Sequence, residues 1–390
     1  MEPIIGLIGD YILDIYVYGD CNRISPESPI PVFEKKRTEH FPGGSGNVER
    51  NLKALGADVQ HYHVPITEFS IKKRYVTNNQ IVFRSDDDFK STVGYTDCSF
   101  HKEVEYVILS DYDKGFINDP AKIIKKLKKT GKKVVVDLKK PIRKYFGADV
   151  VKMNEREFEK YVGSGSYQTA RIDNLIDTLI ITKGAKGCTV VNSDGEFMIK
   201  TDDHPVSDVT GAGDVFIAAL TYYLACGKSM IIAAEYATKL ASISVTKFGT
   251  YVLTDDDIKT VNPKVVFTNG CFDILHRGHI EYLKKSKELG DKLIVGINSD
   301  TSVRMLKGSK RPINNQYDRK YMLESLEFVD EVHIFDEQTP YELIKRIDPD
   351  IITKGGDYLT VEDVVGHDLA EVQLIPFIEN YSTTKILEKI

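Results

Sequence analysis

The segment Val265-Val266-Phe267-Thr268-Asn269-Gly270-Cys271-Phe272-Asp273-Ile274-Leu275-His276-Arg277-Gly278-His279 constrains this chain more than any other. Val265 to Phe267 is apolar on both faces, the pattern of a short strand inside a parallel sheet. Asn269-Gly270 breaks the strand. A helix is predicted from about His279 to Leu289, burying Ile280, Leu283 and Leu289 and stopping at Gly290. Two histidines therefore stand where a strand hands over to a helix. Free backbone N–H groups and the positive end of the helix dipole favour an anion there. Gly278 lets a phosphate approach the backbone closely. Read singly, His276 and His279 are surface residues or a metal pair. The metal pair is the weaker reading, because no second cluster of ligands accompanies Cys271 and Asp273.

The same alternation of apolar strands and helices runs along the whole chain and implies parallel sheets covered by helices, an α/β fold. In the first part, strands are predicted at Ile5–Gly9, Val59–Val64, Tyr106–Leu109, Val134–Val136, Thr178–Ile181 and Thr189–Val191. A helix is predicted at Ala121–Lys129. In the second part, strands are predicted at Val265–Phe267, Leu293–Ile297, Val332–Phe335, Ile351–Thr353 and Leu374–Phe377. Helices are predicted at Gln316–Leu326 and Pro340–Ile347. This second sheet is small and Rossmann-like, suited to a mononucleotide at the carboxyl ends of its strands. Thr254 to Asp257 and Asn262-Pro263 form a polar junction, giving domains at residues 1–258 and 264–390.

A second anion pocket is written into Asp208-Val209-Thr210-Gly211-Ala212-Gly213-Asp214, followed by the apolar run Val215 to Leu224. Gly211 and Gly213 permit a tight turn with N–H groups pointing inward at a helix start. Asp214 is placed beside it to take a proton from an attacking hydroxyl. A plain helix cap is the alternative.

With 390 residues, a net charge of -6, 42% hydrophobic and 28% charged residues, the chain reads as an ordinary globular protein without a nucleic-acid surface. Five cysteines without C-x-x-C spacing point to free thiols and a cytoplasmic setting. Ile4 to Ile8 is interrupted by Asp10 and Asp14, so it reads as a strand rather than a leader, and no stretch reaches membrane-spanning length.

The string around His276 and His279 resembles the nucleotidyltransferase family that includes cytidylyltransferases and heptose-1-phosphate adenylyltransferase. The resemblance implies that these histidines hold a nucleotide triphosphate and stabilise departing pyrophosphate. Gly270, Phe272, Lys307, Arg311, Lys354, Gly355, Asp357, Ser382, Thr383 and Thr384 are the further nucleotide- and phosphate-binding residues it implies. Lys354-Gly355-Gly356-Asp357-Tyr358 and the string before the last helix favour ATP over CTP.

The string ending in Asp214 looks like the signature of ribokinase-type carbohydrate kinases. Pro42-Gly43-Gly44-Ser45-Gly46-Asn47 is similar to that family's sugar-binding signature. Gly9-Asp10 and Ser110-Asp111-Tyr112-Asp113-Lys114-Gly115 most resemble its heptose-7-phosphate kinase branch. The resemblance implies a three-layer domain with Asp214 as catalytic base. It places Asn154, Glu157, Thr182, Lys183, Gly184, Gly211, Ala212 and Gly213 at ATP, and Asp14, Asn22, Arg23, Gly43, Gly44 and Asn47 at the sugar. Arg23, Lys73 and Arg74 are candidates for the sugar's own phosphate, although Lys73 and Arg74 also read as exposed strand residues. The fused pair resembles the bifunctional heptose kinase and adenylyltransferase family. That implies Mg2+ with ATP, sugar-phosphate substrates and a homo-oligomer, dimeric through the kinase domain. One departure stands out: a strand–helix piece is missing after residue 60. Its loss would expose apolar sheet unless another chain or domain covers it.

Overall fold

The apolar run Ile4–Gly9 forms strand β1, which ends at Asp10 and passes straight into a second sheet. In the computed structural model β2 (Tyr11–Ile24) and β3 (Pro31–Gly44) are followed by α1 (Ser45–Ala54), β4 (Asp58–Tyr62), β5 (Ser70–Thr77) and β6 (Gln80–Asp87). Next come β7 (Tyr106–Ser110), α2 (Pro120–Lys129), β8 (Lys133–Asp137), β9 (Val150–Asn154), α3 (Glu155–Tyr161), α4 (Tyr167–Asp173) and β10 (Thr178–Thr182). β11 (Cys188–Asn192), β12 (Gly195–Ile199), α5 (Ala212–Ala225), α6 (Met230–Ser244) and α7 (Asp255–Val261) complete the first unit, Met1–Val261. The structure describes residues 2–65, 69–95, 99–163, 165–201, 206–355 and 360–376.

The main sheet has the order β12-β11-β10-β9-β8-β7-β1-β4, with every strand parallel except β11, which pairs antiparallel with both β10 and β12. One face packs on α1, α5 and α6, whose Val48, Leu52, Val215, Leu220, Ala234 and Leu240 are fully buried. α5 is apolar all round because it lies inside this layer. The other face packs on α2 through Ile123, Ile124 and Leu127. Two helical layers on one sheet make the expected three-layer domain. A smaller sheet, β3-β2-β5-β6, forms a lid.

After β4 the chain enters the lid directly, as the missing strand–helix piece requires. The sheet there is not left bare. Tyr62 packs against Tyr95 and Phe100, with ring centroids 5.3 and 5.2 Å apart, and Tyr95 against Phe116 at 5.5 Å. The Phe100 ring lies 2.6 Å from where a side chain on Gly6 would begin. Aromatic rings of the same chain thus cover what a helix was expected to cover.

The second unit, Asn262–Ile390, runs β13 (Val265–Gly270), α8 (Arg277–Lys287), β14 (Lys292–Asn298), α9 (Asp300–Lys307), α10 (Gln316–Glu324), β15 (Glu331–Phe335), α11 (Tyr341–Ile347), β16 (Ile351–Gly355) and β17 (Glu371–Ile375). All five strands are parallel, in the order β15-β14-β13-β16-β17. The order reverses around β13, so a crevice opens at its carboxyl end. α8 begins at Arg277, earlier than the predicted His279, because His276 is its N-cap. β17 begins three residues before the predicted Leu374.

Candidate active sites

In the first unit two helix starts meet. Gly44 and Gly211 both adopt positive φ, at 56° and 80°, directly before α1 and α5. A side chain on Gly211 would also stand 2.8 Å from Asn47 Nδ2. That amide donates to Asp214 Oδ2 at 3.0 Å. The Tyr112 hydroxyl donates to Asp214 Oδ1. Burial pushes the Asp214 carboxyl up to about 6, while the Tyr112 and Asn47 hydrogen bonds pull it down. A carboxylate poised near neutral pH and aimed by two donors has the properties of a general base.

Behind the Gly211–Gly213 turn lies an ion pair not anticipated from the sequence. Lys152 on β9 pairs with Asp137 at the end of β8 at 2.9 Å, both buried. The Lys152 ammonium stands 2.8 Å from where a side chain on Gly213 would begin, so a cation reinforces the backbone cradle. Asn154 and Glu157 form a capping box on α3, each side chain bonding the other's N–H at 2.9 Å. Lys139 is ion-paired with Glu157. Thr182 ends β10 beside Asn154, and Lys183 and Gly184 follow it. The parallel register thus gathers Asp137, Asn154 and Thr182 at one edge of the sheet. The Gly211–Asp214 turn reaches the same edge through Lys152.

The sugar-site candidates separate. Asp14 is buried against Gly43, accepts from Arg74 at 2.6 Å and from Thr250 at 3.3 Å. Arg74 is therefore not an exposed strand residue, and its charge is spent on Asp14. Asn47 is fully buried and donates to Asp214 instead. Asn22 and Arg23 are exposed, with Arg23 paired to Glu34. They lie eight and nine residues beyond Asp14 on β2, about 26–30 Å along an extended strand, so this chain does not bring them to Asp14. Lys73 faces Asp87 at 3.8 Å.

In the second unit the His276 and His279 rings stack, 3.8 Å between centroids and 16° between planes. Burial lowers both imidazoles, and with His276 and Lys307 nearby His279 is held at about 4. His279 is therefore neutral at pH 7, and burial shifts His276 toward its neutral form. Phe272, at φ 45°, is buried with its ring 5.2 Å from His279. An aromatic residue in that backbone region is strained, and its buried ring packs edge-on against His279. Gly270 ends β13 beside that ring. Lys354 donates to Asn269 Oδ1 at 2.6 Å, and burial pushes its ammonium down to about 8. Gly355 ends β16, level with it. Lys307 closes α9 on an exposed turn. Arg311 is taken by the buried Asp273 at 2.6 Å, so it braces the loop instead of offering a free charge. Asp357, Ser382, Thr383 and Thr384 lie outside the described residues.

Sequence reasoning missed Arg319. It is fully buried on α10 and donates to the carbonyls of Cys271, Asn298 and Asn314 at 2.6, 2.8 and 3.1 Å and to Asp300 at 2.8 Å. It joins the loops at the ends of β13 and β14.

A ribokinase-like layer with a poised base, followed by a parallel mononucleotide sheet with a histidine pair, defines a carbohydrate kinase fused to a nucleotidyltransferase. Family models match accordingly: pfkB family carbohydrate kinase over residues 75–257 and cytidylyltransferase-like over 267–389. The first unit resembles phosphofructokinase-2 from Escherichia coli (TM-score 0.54, 16% identity, 67% of this chain and 98% of that one). It also resembles a nucleoside kinase from Methanocaldococcus jannaschii (TM-score 0.52, 18% identity, 67% and 98%). At such identities these show the fold alone. The whole chain is 38% identical to a bifunctional protein HldE from Nitratiruptor sp., covering 100% of this chain and 99% of that one. It is 37% identical to one from Wolinella succinogenes, covering 100% and 98%. The chain belongs to the HldE family of bifunctional proteins. It is an ATP-using enzyme of heptose metabolism, with a kinase and a nucleotidyltransferase in one polypeptide. The alignment with the first relative runs to 464 positions against 390 residues here, as a shortened chain requires. Among the described residues, no helix is long and apolar enough to cross a membrane.

Proposed function

We propose that the first unit phosphorylates heptose 7-phosphate at its anomeric hydroxyl, with Asp214 as base. The observation that carries this is the buried Asp214 carboxylate aimed by Asn47 and Tyr112 at the mouth of a glycine cradle. Asp214 takes the hydroxyl proton as the sugar oxygen attacks the γ-phosphorus and ADP leaves. The N–H groups of Gly211 to Gly213, backed by Lys152, meet the charge on the transferring group.

Magnesium fits this edge as an ion carried on nucleotide phosphates. Among the described residues no cluster of three acidic, histidine or cysteine side chains could cage it. The buried Asp137 Oδ1 has no hydrogen-bond partner among those residues and is the acidic oxygen available to it. When bound, the ion would neutralise phosphate charge.

The second unit, in this reading, transfers AMP from ATP to heptose 1-phosphate. His276 and His279 at the α8 start, with Lys354, align the triphosphate. A sugar-phosphate oxygen attacks the α-phosphorus and pyrophosphate leaves, with no protein nucleophile required. A homodimer through the kinase unit is supported by the lid edge, where Ile81, Val82 and Phe83 of β6 are exposed together.

Single-site variants of the full chain test both assignments. Asp214→Asn is expected to lower kinase turnover by about 10²–10⁴-fold and leave adenylyl transfer intact. His279→Ala is expected to do the reverse. A single variant that abolished both activities without unfolding the protein would contradict two separate sites.

A further inference from the structure

The Tyr112 hydroxyl that bonds Asp214 is carried by a stretch with no helix or strand of its own. Residues 111–117 lie between β7 and α2, and Asp113 and Gly115 take positive φ, at 56° and 100°. Such backbone cannot satisfy its N–H groups through a regular ladder, and buried N–H groups need partners. Three of them find one carboxylate. Asp10, the residue after β1, accepts from the N–H of Tyr112 at 2.8 Å, of Lys114 at 3.1 Å and of Phe116 at 3.1 Å. The first two share Oδ2 and the third goes to Oδ1.

Asp10 is buried, and among the described residues it forms no ion pair. Burial and the neighbouring Asp111 raise its pKa, while the three N–H groups pull it down. Asp111 is answered separately, by Lys140 at 2.6 Å and Tyr145 at 2.7 Å. A buried carboxylate without a cation is costly to keep. Here it orders one loop, and that loop ends on the base. The main chain of Asp10 holds the other side of the site. Its carbonyl accepts from the N–H of Ser45, the first residue of α1, at 3.1 Å. Asn47, two residues on, is the second donor to Asp214. The Asp10 side chain thus serves the Tyr112 arm alone, and substituting it leaves the Asn47 arm in place.

We propose that Asp10 is a positioning residue of the kinase step, holding the Tyr112 hydroxyl on Asp214 through the backbone of residues 112–116. This rests on the kinase reading of Asp214. A group that merely stabilised the fold would change the melting temperature and leave the base as it is.

The test is the pH profile of kinase kcat/KM for full-length Asp10→Ala and Asp10→Asn, with ATP and heptose 7-phosphate, beside Tyr112→Phe. Without the Tyr112 bond the base is harder to ionise, so the acid limb of the profile moves to higher pH. Asp10→Ala should shift it as far as Tyr112→Phe does and lower kcat at pH 7 by about tenfold. The KM for ATP and adenylyl transfer should be unchanged. Asp10→Asn, which keeps one acceptor oxygen, should shift the limb less. Combining Asp10→Ala with Tyr112→Phe should lower kcat little further, where independent effects would multiply to about a hundredfold. If Asp10→Ala does not fold, Asp10→Asn and its double variant with Tyr112→Phe decide. An unmoved limb in a folded Asp10 variant, or losses that multiply in the double variant, would overturn the proposal. So would fast amide hydrogen exchange of residues 112–116 in the wild type. If the wild type releases no ADP with heptose 7-phosphate, the kinase reading fails and takes the proposal with it. An active wild type whose limb ignores Asp10 removes the proposal alone.

Discussion

At Asp214 the fold sets a proton equilibrium against burial. The carboxylate must be ionised to accept a proton, and its environment puts that transition at about pH 6. Kinase kcat/KM is therefore expected to rise with pH through an acid limb near 6 and to level off above it. Tyr112 stabilises the ionised form. Tyr112→Phe should move that limb to higher pH and lower kcat/KM at pH 7 by about tenfold, with the adenylyltransferase profile unmoved. An unchanged limb would remove Tyr112 from the base. Stability carries the opposite sign. Between the ordinary carboxylate range and pH 6 the folded state holds this proton and the unfolded chain does not, so the Asp214 contribution to stability falls as pH rises through that window. Asp214 itself was legible because Gly211 marks a positive-φ turn at a helix start. The bond to Asp214 from Tyr112, 102 residues away, and the Lys152–Asp137 pair were not, because local pattern cannot say which strand ends become neighbours. Arg74 was misjudged for the same reason: whether a strand cation is exposed depends on what lies opposite, and here that is Asp14.

At the scale of elements, long apolar runs such as Val134–Val136 and Val215–Leu224 announced themselves. The lid strands did not, since β2 and β3 mix charged and apolar residues and neither alternates regularly between buried and exposed positions. Short α3 and α4 carry too few turns for a periodic signal. In the second unit, α10 is tied to two strand-end loops by a single guanidinium. Removing Arg319 leaves three carbonyls and Asp300 without that buried donor. Arg319→Met is expected to destabilise the second unit by about 3–5 kcal/mol. In calorimetry this should appear as a lowered unfolding transition in a protein that still phosphorylates its sugar. An unshifted trace would show that the loops hold without it.

Across the whole molecule, each unit places its proposed phosphate site at the carboxyl edge of a parallel sheet, in both cases where a helix begins. The shortened stretch after β4 removes neither cradle, and Tyr62, Tyr95 and Phe100 close the gap it leaves. The exposed β6 edge leads to a further expectation. Phe83→Asp should convert a dimer to a monomer in sedimentation, and a wild type that sediments as a monomer would refute the lid contact. The most direct measurement follows phosphorus resonances after ATP and magnesium are mixed with the full-length protein and heptose 7-phosphate, and separately with heptose 1-phosphate. The first mixture should yield ADP and a heptose 1,7-bisphosphate, and the second pyrophosphate and ADP-heptose. ATP left intact in both mixtures by folded protein would contradict the account of two phosphate cradles.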